Sequence, residues 1–287
     1  QESTTQLHAK MSHNIPFFKN LDYYDYTKKY QLDDLLGVDL TKYGSLTEKR
    51  EHEIYSSVDE KNDQPYPVEM DDLIRLHYLV TSRRVTTILE FGIGKSTVIF
   101  DHAIIENQKN HSSYVSKNLR RSNPFEVHSV DSEKKWVNTF KRQNNVSNRV
   151  HLTLSACYMS TFNDRVCTLY KKIPNICPDL IYLDAPHQST PTREINGITT
   201  NHFDRLPMSA DILLFEHFLL PGTLIVVDGR TANARFLKSN LQRDWEYFYS
   251  SEFDQHFFEL RESPLGYLNK RQIEYCLGID WLENIKI

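Results

Sequence analysis

Glycine is scarce in this chain, which has nine glycines among 287 residues. At an average usage of about 7%, a chain of this length would carry roughly twenty. Collagen-like repeats, low-complexity disorder and disulfide scaffolds each need an excess of glycine, proline or cysteine. Nine glycines, 11 prolines and 4 cysteines exclude all three classes. The composition therefore predicts a folded protein in which the position of each glycine is informative.

Long apolar runs and a basic excess are also lacking. No run approaches the roughly 18 apolar residues that a membrane-spanning helix needs, and the polar start has no secretory apolar region, so we expect a cytoplasmic protein without a membrane partner. The balance of 34 basic and 38 acidic side chains argues against a nucleic-acid partner. No C-x-x-C spacing signals a metal or redox pair among the cysteines, which are predicted to be reduced thiols. A homo-oligomer remains open.

The chain divides by pattern into two parts. Residues 1–65 are polar, tyrosine-rich and weakly periodic, which predicts an N-terminal extension of short helices. Residues 66–287 are predicted to form one α/β domain, which a helix over Val68–Arg83 leads into. Short apolar runs that alternate with helical segments are typical of a parallel sheet buried on both faces. These predicted strands are Val85–Phe91, Phe125–Val130, Val150–Leu154, Leu180–Leu183 and Thr223–Val227.

The end of the chain breaks this alternation. Trp245–Tyr249 and His256–Leu260 are close together and aromatic, which predicts a hairpin with one antiparallel strand. The predicted fold is thus a Rossmann-like, doubly wound sheet that is mostly parallel. The segments 109–123 and 188–204 are polar and are predicted to be long loops.

A glycine turn follows the first predicted strand. Gly92 and Gly94 lie between this strand and a helical run, where the backbone can approach a ligand closely and a helix N-terminus offers free N–H groups. A phosphate-binding P-loop would need another glycine at position 89, which is leucine. A dinucleotide fingerprint would need a third glycine at Thr97, and Glu90 would face a pyrophosphate with like charge.

An acidic residue two positions before Gly92 suits a cationic ligand. An apolar strand, an acidic residue and G-x-G at the turn resemble motif I of class I S-adenosylmethionine-dependent methyltransferases. The resemblance implies that Glu90, Gly92, Gly94 and Ser96 bind the methionine part of this cofactor. Ser96 stands where the family usually has a third small residue.

Two further cofactor residues follow from the same resemblance. Asp131 ends the second predicted strand, where a carboxylate can accept both ribose hydroxyls of an adenosine. Ser155 follows the third strand, where the family carries a residue that bonds the adenine amine; this match is looser. A helix cap or turn carboxylate is the structural alternative for Asp131.

Carboxylates also end the fourth and fifth strands. Asp184 and Asp228 would face one crevice at the edge where open α/β sheets bind ligands. This resembles the catechol and sugar O-methyltransferase branches, in which such residues hold Mg²⁺, although Gly229 supplies no side-chain oxygen here. Two carboxylates would complete a Mg²⁺ site only if substrate or solvent oxygens join them. His187 is the candidate general base.

The predicted function is methyl transfer to a small hydroxylated acceptor, of a sugar or nucleotide-sugar type. One alternative is a nucleotide-dependent transferase that uses Lys95 in a degenerate phosphate loop. Another is a cofactor-binding protein of the same fold without catalysis. A basic stretch near the cofactor edge is expected to be a solvated loop, with the steering of a phosphate-bearing substrate as the alternative. Its residues are Lys109, Lys117, Arg120 and Arg121.

Overall fold

The structure, a computed structural model, describes residues 15–38 and 69–285. The chain divides between Tyr78 and Leu79 into two compact units. Most of the predicted extension over residues 1–65, and its boundary with the domain over 66–287, lie outside the described residues. That division of the chain therefore stays a prediction.

The first unit holds short helices around a buried arginine. Asp22 caps the first helix, since its carboxylate accepts a hydrogen bond from the Asp25 N–H at 3.0 Å. The Arg75 guanidinium is fully buried and donates to the Asp71 carboxylate and the Tyr23 hydroxyl, each at 3.1 Å. The helices that begin in this unit are α1 (Tyr23–Tyr30), α2 (Leu32–Leu36) and α3 (Met70–Ser82), and α3 confirms the predicted helix.

The second unit is built on a seven-stranded sheet of order β3-β2-β1-β6-β7-β9-β8. Only β9 runs antiparallel to its neighbours, and it lies between β7 and β8. The Rossmann-like, mostly parallel sheet with an antiparallel strand near the C-terminus is confirmed. The strands are β1 (Thr87–Phe91), β2 (Glu126–Asp131), β3 (Val150–Leu154), β4 (Cys157–Phe162), β5 (Arg165–Tyr170), β6 (Leu180–Leu183), β7 (Leu224–Asp228), β8 (Trp245–Ser250) and β9 (Gln255–Leu260).

Helices flank this sheet. The central strands β1 and β6 are buried at every position, as expected for parallel strands covered on both faces. The helices of the second unit are α4 (Lys95–Asn118), α5 (Lys134–Gln143), α6 (Asp211–Phe215), α7 (Thr231–Asn240), α8 (Gly266–Cys276) and α9 (Ile279–Glu283). In the described parts of the chain, none of the helices combines the length and the apolar character that crossing a membrane requires.

The β4–β5 hairpin is an element that the sequence analysis missed. Its strands form a separate two-stranded sheet joined by a tight turn at Asn163 and Asp164, both of which have positive φ. Two consecutive residues with positive φ are typical of a type I′ hairpin turn, and Asn and Asp tolerate that conformation better than most residues. The Asn-Asp pair between two alternating runs was thus the available signal.

The predicted loop over 109–123 is wrong for most of its length. Helix α4 continues to Asn118, so Lys109 and Lys117 lie on a helix and not in a loop. The polar pattern did not distinguish the two, because exposed helix faces carry polar residues as readily as loops do. Arg121 donates to the Cys177 carbonyl at 2.7 Å and to the hydroxyls of Thr86 and Thr87, next to the start of β1. Arg121 therefore lies at the amino edge of the sheet, not at the predicted cofactor edge.

Candidate active site

The candidate site lies where β1 and β6 end, side by side. The order β3-β2-β1 and then β6-β7 reverses the direction of the crossovers between these two strands. Ligands of open α/β sheets bind at such a switch point, outside the carboxyl ends of the strands. The Asp184 N–H donates to the Phe91 carbonyl at 2.9 Å, which fixes the two strand ends together.

Gly92 is the first residue of the glycine turn, and the backbone conformation at this position requires glycine. Its φ is +113°, a region that L side chains rarely adopt, and a Cβ there would lie 3.5 Å from the Ala185 Cβ and 3.6 Å from the Asp184 carbonyl oxygen. The glycine therefore lets the turn pass close to the end of β6. This contact brings the predicted cofactor turn and Asp184 to one place.

Gly94 differs from Gly92 because its backbone is extended and a Cβ there would meet no atom of the described chain within 4 Å. It is the residue that caps α4, whose first N–H groups have no partner within the helix. The turn thus presents an open side together with the positive end of a helix of 24 residues.

Glu90 lies beneath this turn and has no solvent exposure. Its carboxylate accepts hydrogen bonds from the hydroxyls of Thr97 at 2.7 Å and Ser129 at 2.5 Å, and also from the Ser96 hydroxyl. Burial raises the pKa of Glu90 to about 7, although the three hydroxyls favour the ionised form. Glu90 and Ser96 are therefore bound to each other, and direct contact of either with a cofactor stays a prediction.

Glu90 acts on the turn through Thr97. The Gly94 N–H donates to the Thr97 hydroxyl at 3.0 Å, and that hydroxyl donates in turn to the Glu90 carboxylate. The Ile93 carbonyl accepts a hydrogen bond from the Trp136 indole on α5. The turn is consequently held from below and from the side, which leaves its backbone preorganised.

Asp131 ends β2 beside the same turn. Its two carboxylate oxygens accept from the N–H groups of Ile93 at 3.2 Å and Glu133 at 2.9 Å. Burial raises the pKa of Asp131, whereas hydrogen bonds from the backbone N–H groups of Glu133, Ile93 and Ser132 lower it. A carboxylate has about four lone pairs, so Asp131 retains acceptor capacity. The predicted ribose residue and the predicted methionine turn are therefore in direct contact.

Ser155 follows β3 and is also close to Asp131. The Ser155 N–H donates to the Asp131 carbonyl at 2.9 Å, while its hydroxyl oxygen accepts from the Lys172 N–H at 2.9 Å. The hydroxyl still has a proton to donate. Its role toward an adenine stays a prediction.

Asp184 and His187 follow β6 and are exposed. The ring Nδ1 of His187 lies 2.8 Å from the Ser189 hydroxyl oxygen and 3.3 Å from the Ser189 backbone nitrogen. A backbone N–H is a donor, so Nδ1 accepts in this contact. For His187 to serve as a general base through Nδ1, the contact with Ser189 must open. The base role of His187 stays a prediction.

Asp228 ends β7 and is held by two neighbours. The Tyr182 hydroxyl donates to one carboxylate oxygen at 2.7 Å, and the Gln255 amide donates to the other at 3.1 Å. Gly229, which has a positive φ, offers no side-chain ligand. Among the described residues, the one group of three or more converging metal-ligand side chains lies elsewhere. Mg²⁺ at Asp184 and Asp228 therefore gains no support.

Tyr170 and Arg230 are polar residues near this edge. Both are buried, and within the described chain neither the Tyr170 hydroxyl nor the Arg230 Nε has a hydrogen-bond partner. Burial lowers the pKa of Arg230, while the nearby Asp184 carboxylate raises it. The ring of Tyr170 stacks on Phe91 at the end of β1, with centroids 5.8 Å apart. No sequence signal marked Tyr170, because it belongs to the missed hairpin.

The alternative of a phosphate-binding loop depends on Lys95. Its ammonium group donates to the Asn144 side chain at 3.3 Å. A phosphate-loop lysine reaches over the turn toward the phosphates. The hydrogen bond to Asn144 instead holds the Lys95 side chain against the segment that follows α5.

Comparison with known proteins gives a likeness in fold alone. No family model matches the chain, and no curated protein matches it. A solved structure of the methyltransferase PaMTH1 from Podospora anserina, with S-adenosylhomocysteine bound, is similar at 12% identity and a TM-score of 0.40. The likeness covers 91% of this chain and 97% of that one. An identity and a TM-score this low say nothing about the activity of this chain.

Proposed function

We propose that this chain is an S-adenosylmethionine-dependent methyltransferase that acts on a hydroxyl of a small acceptor. The observation that carries the proposal is the hydrogen bond between the Ile93 N–H and the Asp131 carboxylate. It joins the glycine turn after β1 to the acidic residue after β2. The glycine turn, which the sequence analysis assigned to the methionine part of the cofactor, and Asp131, assigned to its ribose, thus form one surface.

The electrostatics of this surface support a cationic ligand. The negative charge of Asp131 contributes to the raised pKa of Glu90, so the two carboxylates repel each other when both are ionised. A sulfonium or ammonium group near these carboxylates would relieve that repulsion. A pyrophosphate would add to it. The carboxylates therefore favour S-adenosylmethionine over a dinucleotide or a nucleoside triphosphate.

Two further features of these residues suit the cofactor. The open side of Gly94 allows close approach to the backbone, and Asp131 keeps lone pairs for the ribose hydroxyls. The antiparallel β9 between β7 and β8 is consistent with the sheet of class I methyltransferases. When bound, the cofactor supplies an electrophilic methyl group.

The rest of the reaction falls to positioning and proton removal by the chain itself. Asp184, beside the turn, is proposed to orient the acceptor hydroxyl, and His187 to take its proton once the Ser189 contact opens. Asp228 lies at the end of the neighbouring strand β7, where it is proposed to complete the acceptor site. An oxygen acceptor is proposed because an exposed carboxylate and an imidazole both interact well with hydroxyl groups.

The test has two stages. Calorimetric titration with S-adenosylhomocysteine comes first, and the absence of binding overturns the proposal. Transfer of a labelled methyl group from S-adenosylmethionine is then measured across a panel of hydroxylated acceptors, including sugars and nucleotide sugars. With an acceptor in hand, Asp184→Ala and His187→Gln are expected to lower kcat by about 10²-fold or more while cofactor binding is unchanged. Binding without transfer to any acceptor would instead identify a non-catalytic cofactor-binding protein.

A further inference from the structure

Two histidines and a glutamate meet on one face of β2 and β3. Glu126 and His128 are two positions apart on β2, and alternate residues of a strand point to the same face. His151 on β3 is the register partner of His128. The strand pairing therefore places all three side chains on one face of the sheet, at the edge strand.

The ligand atoms of this cluster already converge. The Glu126 Oε2 lies 2.7 Å from the His128 Nε2 and 3.5 Å from the His151 Nε2. All three ligand atoms lie within 4.8 Å of one another. Tetrahedral coordination with bonds of about 2.0–2.1 Å places ligand atoms roughly 3.3 Å apart. Small side-chain rotations would bring the cluster to that spacing.

The surroundings of the cluster suit a metal ion. Exposure rises from 12% for the His128 side chain through 24% for Glu126 to 46% for His151, so one side opens to solvent. Asn123 donates to the Glu126 Oε2 at 2.9 Å and orients the carboxylate, as outer groups do in metal sites.

The cluster is separate from the candidate active site. Asp131 lies three residues beyond His128 on β2, a distance along the strand of about 10 Å. An odd spacing also places Asp131 on the opposite face of the sheet. A metal ion held by the cluster would therefore contact neither the proposed cofactor nor the acceptor.

We propose that Glu126, His128 and His151 form a binding site for a divalent transition-metal ion of the Zn²⁺ class, with water completing its coordination. Imidazole nitrogens combined with one carboxylate suit Zn²⁺, Cu²⁺ or Ni²⁺, whereas Mg²⁺ prefers an all-oxygen set. The metal ion would replace the hydrogen bond that His128 donates to Glu126. The site does not depend on the proposed methyltransferase activity.

The full chain is titrated with Zn²⁺ by calorimetry, and Co²⁺ is added in parallel as a spectroscopic probe. We expect one equivalent to bind through nitrogen and oxygen ligands, with Mg²⁺ in millimolar excess failing to compete. His128→Ala and His151→Ala are expected to weaken binding at least about 10-fold each. His202→Ala is the matched control, because that histidine is also half-exposed, at 52%, and lies outside the cluster.

Thermal unfolding gives a second readout. Bound Zn²⁺ is expected to raise the Tm of the unmodified chain and of His202→Ala, and to leave that of His151→Ala unchanged. Because the His151 side chain is half-exposed, its loss is not expected to disturb folding. Absence of stoichiometric Zn²⁺ binding overturns the proposal, as does equal affinity in His151→Ala and His202→Ala. Either result would leave the cluster as two stacked histidine rings, with centroids 4.5 Å apart, one of which is hydrogen-bonded to a carboxylate.

Discussion

The carboxylate of Asp131 accepts a hydrogen bond from the backbone N–H of Ile93 at 3.2 Å. Because Ile93 lies between the two glycines of the turn, this contact fixes the position of the turn relative to the end of β2. The same carboxylate accepts from the Glu133 N–H, so the residue serves as a structural turn carboxylate and keeps the capacity to bind a ligand.

Replacing Asp131 tests whether this carboxylate also binds the cofactor. Asp131→Asn is expected to weaken binding of S-adenosylhomocysteine by about 10-fold or more, since a hydrogen bond to a charged group contributes about 1.5–3 kcal/mol. Calorimetry at pH 7.5 measures the change. Glu133→Gln removes the same charge from an exposed neighbour and is expected to leave affinity within about twofold. Equal losses of affinity in both variants would show that Asp131 acts only through its negative charge and not through a hydrogen bond to the cofactor.

The two glycines of the turn should respond differently to alanine. Gly92→Ala is expected to lower the free energy of unfolding by about 1–3 kcal/mol, because its φ of +113° strains any side chain. Gly94→Ala is expected to lower it less, by about 0.5–1 kcal/mol, because its backbone is extended and its Cβ would lie in open space within the described chain, while alanine caps a helix less well than glycine.

Cofactor affinity is the property that we expect Gly94→Ala to change. The new Cβ in Gly94→Ala would occupy the open side of the turn, so affinity for S-adenosylhomocysteine should fall at least about 10-fold. Urea unfolding and calorimetry on the same samples measure both effects. A stable Gly94→Ala variant with full affinity would show that the cofactor does not approach the turn.

Glu90 gives the fold a specific pH dependence. Its pKa is raised to about 7 in the folded chain from 4.5, so the folded state binds more protons than the unfolded state between these values. The stability that this protonation supplies is fully present below about pH 4.5 and is lost as the pH rises through 7. Asp211, with a pKa also raised to about 7 by burial, acts in the same direction.

Urea unfolding at pH 5.5 and pH 8 measures this effect. Glu90 alone should make the chain about 2 kcal/mol less stable at pH 8, and Glu90→Gln should remove that part of the difference. The control is Glu133→Gln, which removes an exposed carboxylate outside the hydrogen bonds of Glu90. An unchanged difference between the two pH values in Glu90→Gln would contradict a buried, proton-binding Glu90.

Lys95 separates the proposed function from a phosphate-loop protein. Lys95→Ala is expected to leave affinity for S-adenosylhomocysteine within about twofold, because the ammonium group contacts Asn144 and the proposed ligand needs no cation there. Lys134→Ala, at the exposed start of α5, is the matched control. If the unmodified chain binds ATP and Lys95→Ala alone loses that binding, the nucleotide-dependent alternative is correct.

The central strands were predictable because their residues are buried on both faces. Leu180–Leu183 in β6 and Leu224–Val227 in β7 form continuous apolar runs, which the sequence shows directly. The sequence could not predict that His128 and His151 lie side by side, since this depends on the register between two different strands. Helix α4 was cut short in the prediction because its last turns are polar and exposed. The burial of Glu90 beneath the turn likewise depends on contacts with another strand.

Tyr170 offers a test of the acceptor side of the site. Its buried hydroxyl has no hydrogen-bond partner among the described residues, so Tyr170→Phe removes a polar group whose burial costs about 1–3 kcal/mol. The Tm should therefore stay unchanged or rise. Tyr247→Phe is the matched control, because the Tyr247 hydroxyl bonds His256 at 2.9 Å and its loss should lower stability by about 0.5–1.5 kcal/mol.

Kinetics then show what the Tyr170 hydroxyl does. If Tyr170 meets an oxygen of the acceptor next to Arg230, Tyr170→Phe should raise the KM for the acceptor by about 3- to 10-fold while the affinity for S-adenosylhomocysteine stays the same. Tyr247→Phe should leave KM unchanged, since it lies on β8 at the far edge of the sheet. An unchanged KM in Tyr170→Phe would place the acceptor away from the β4–β5 hairpin, on the Asp228 side of the crevice.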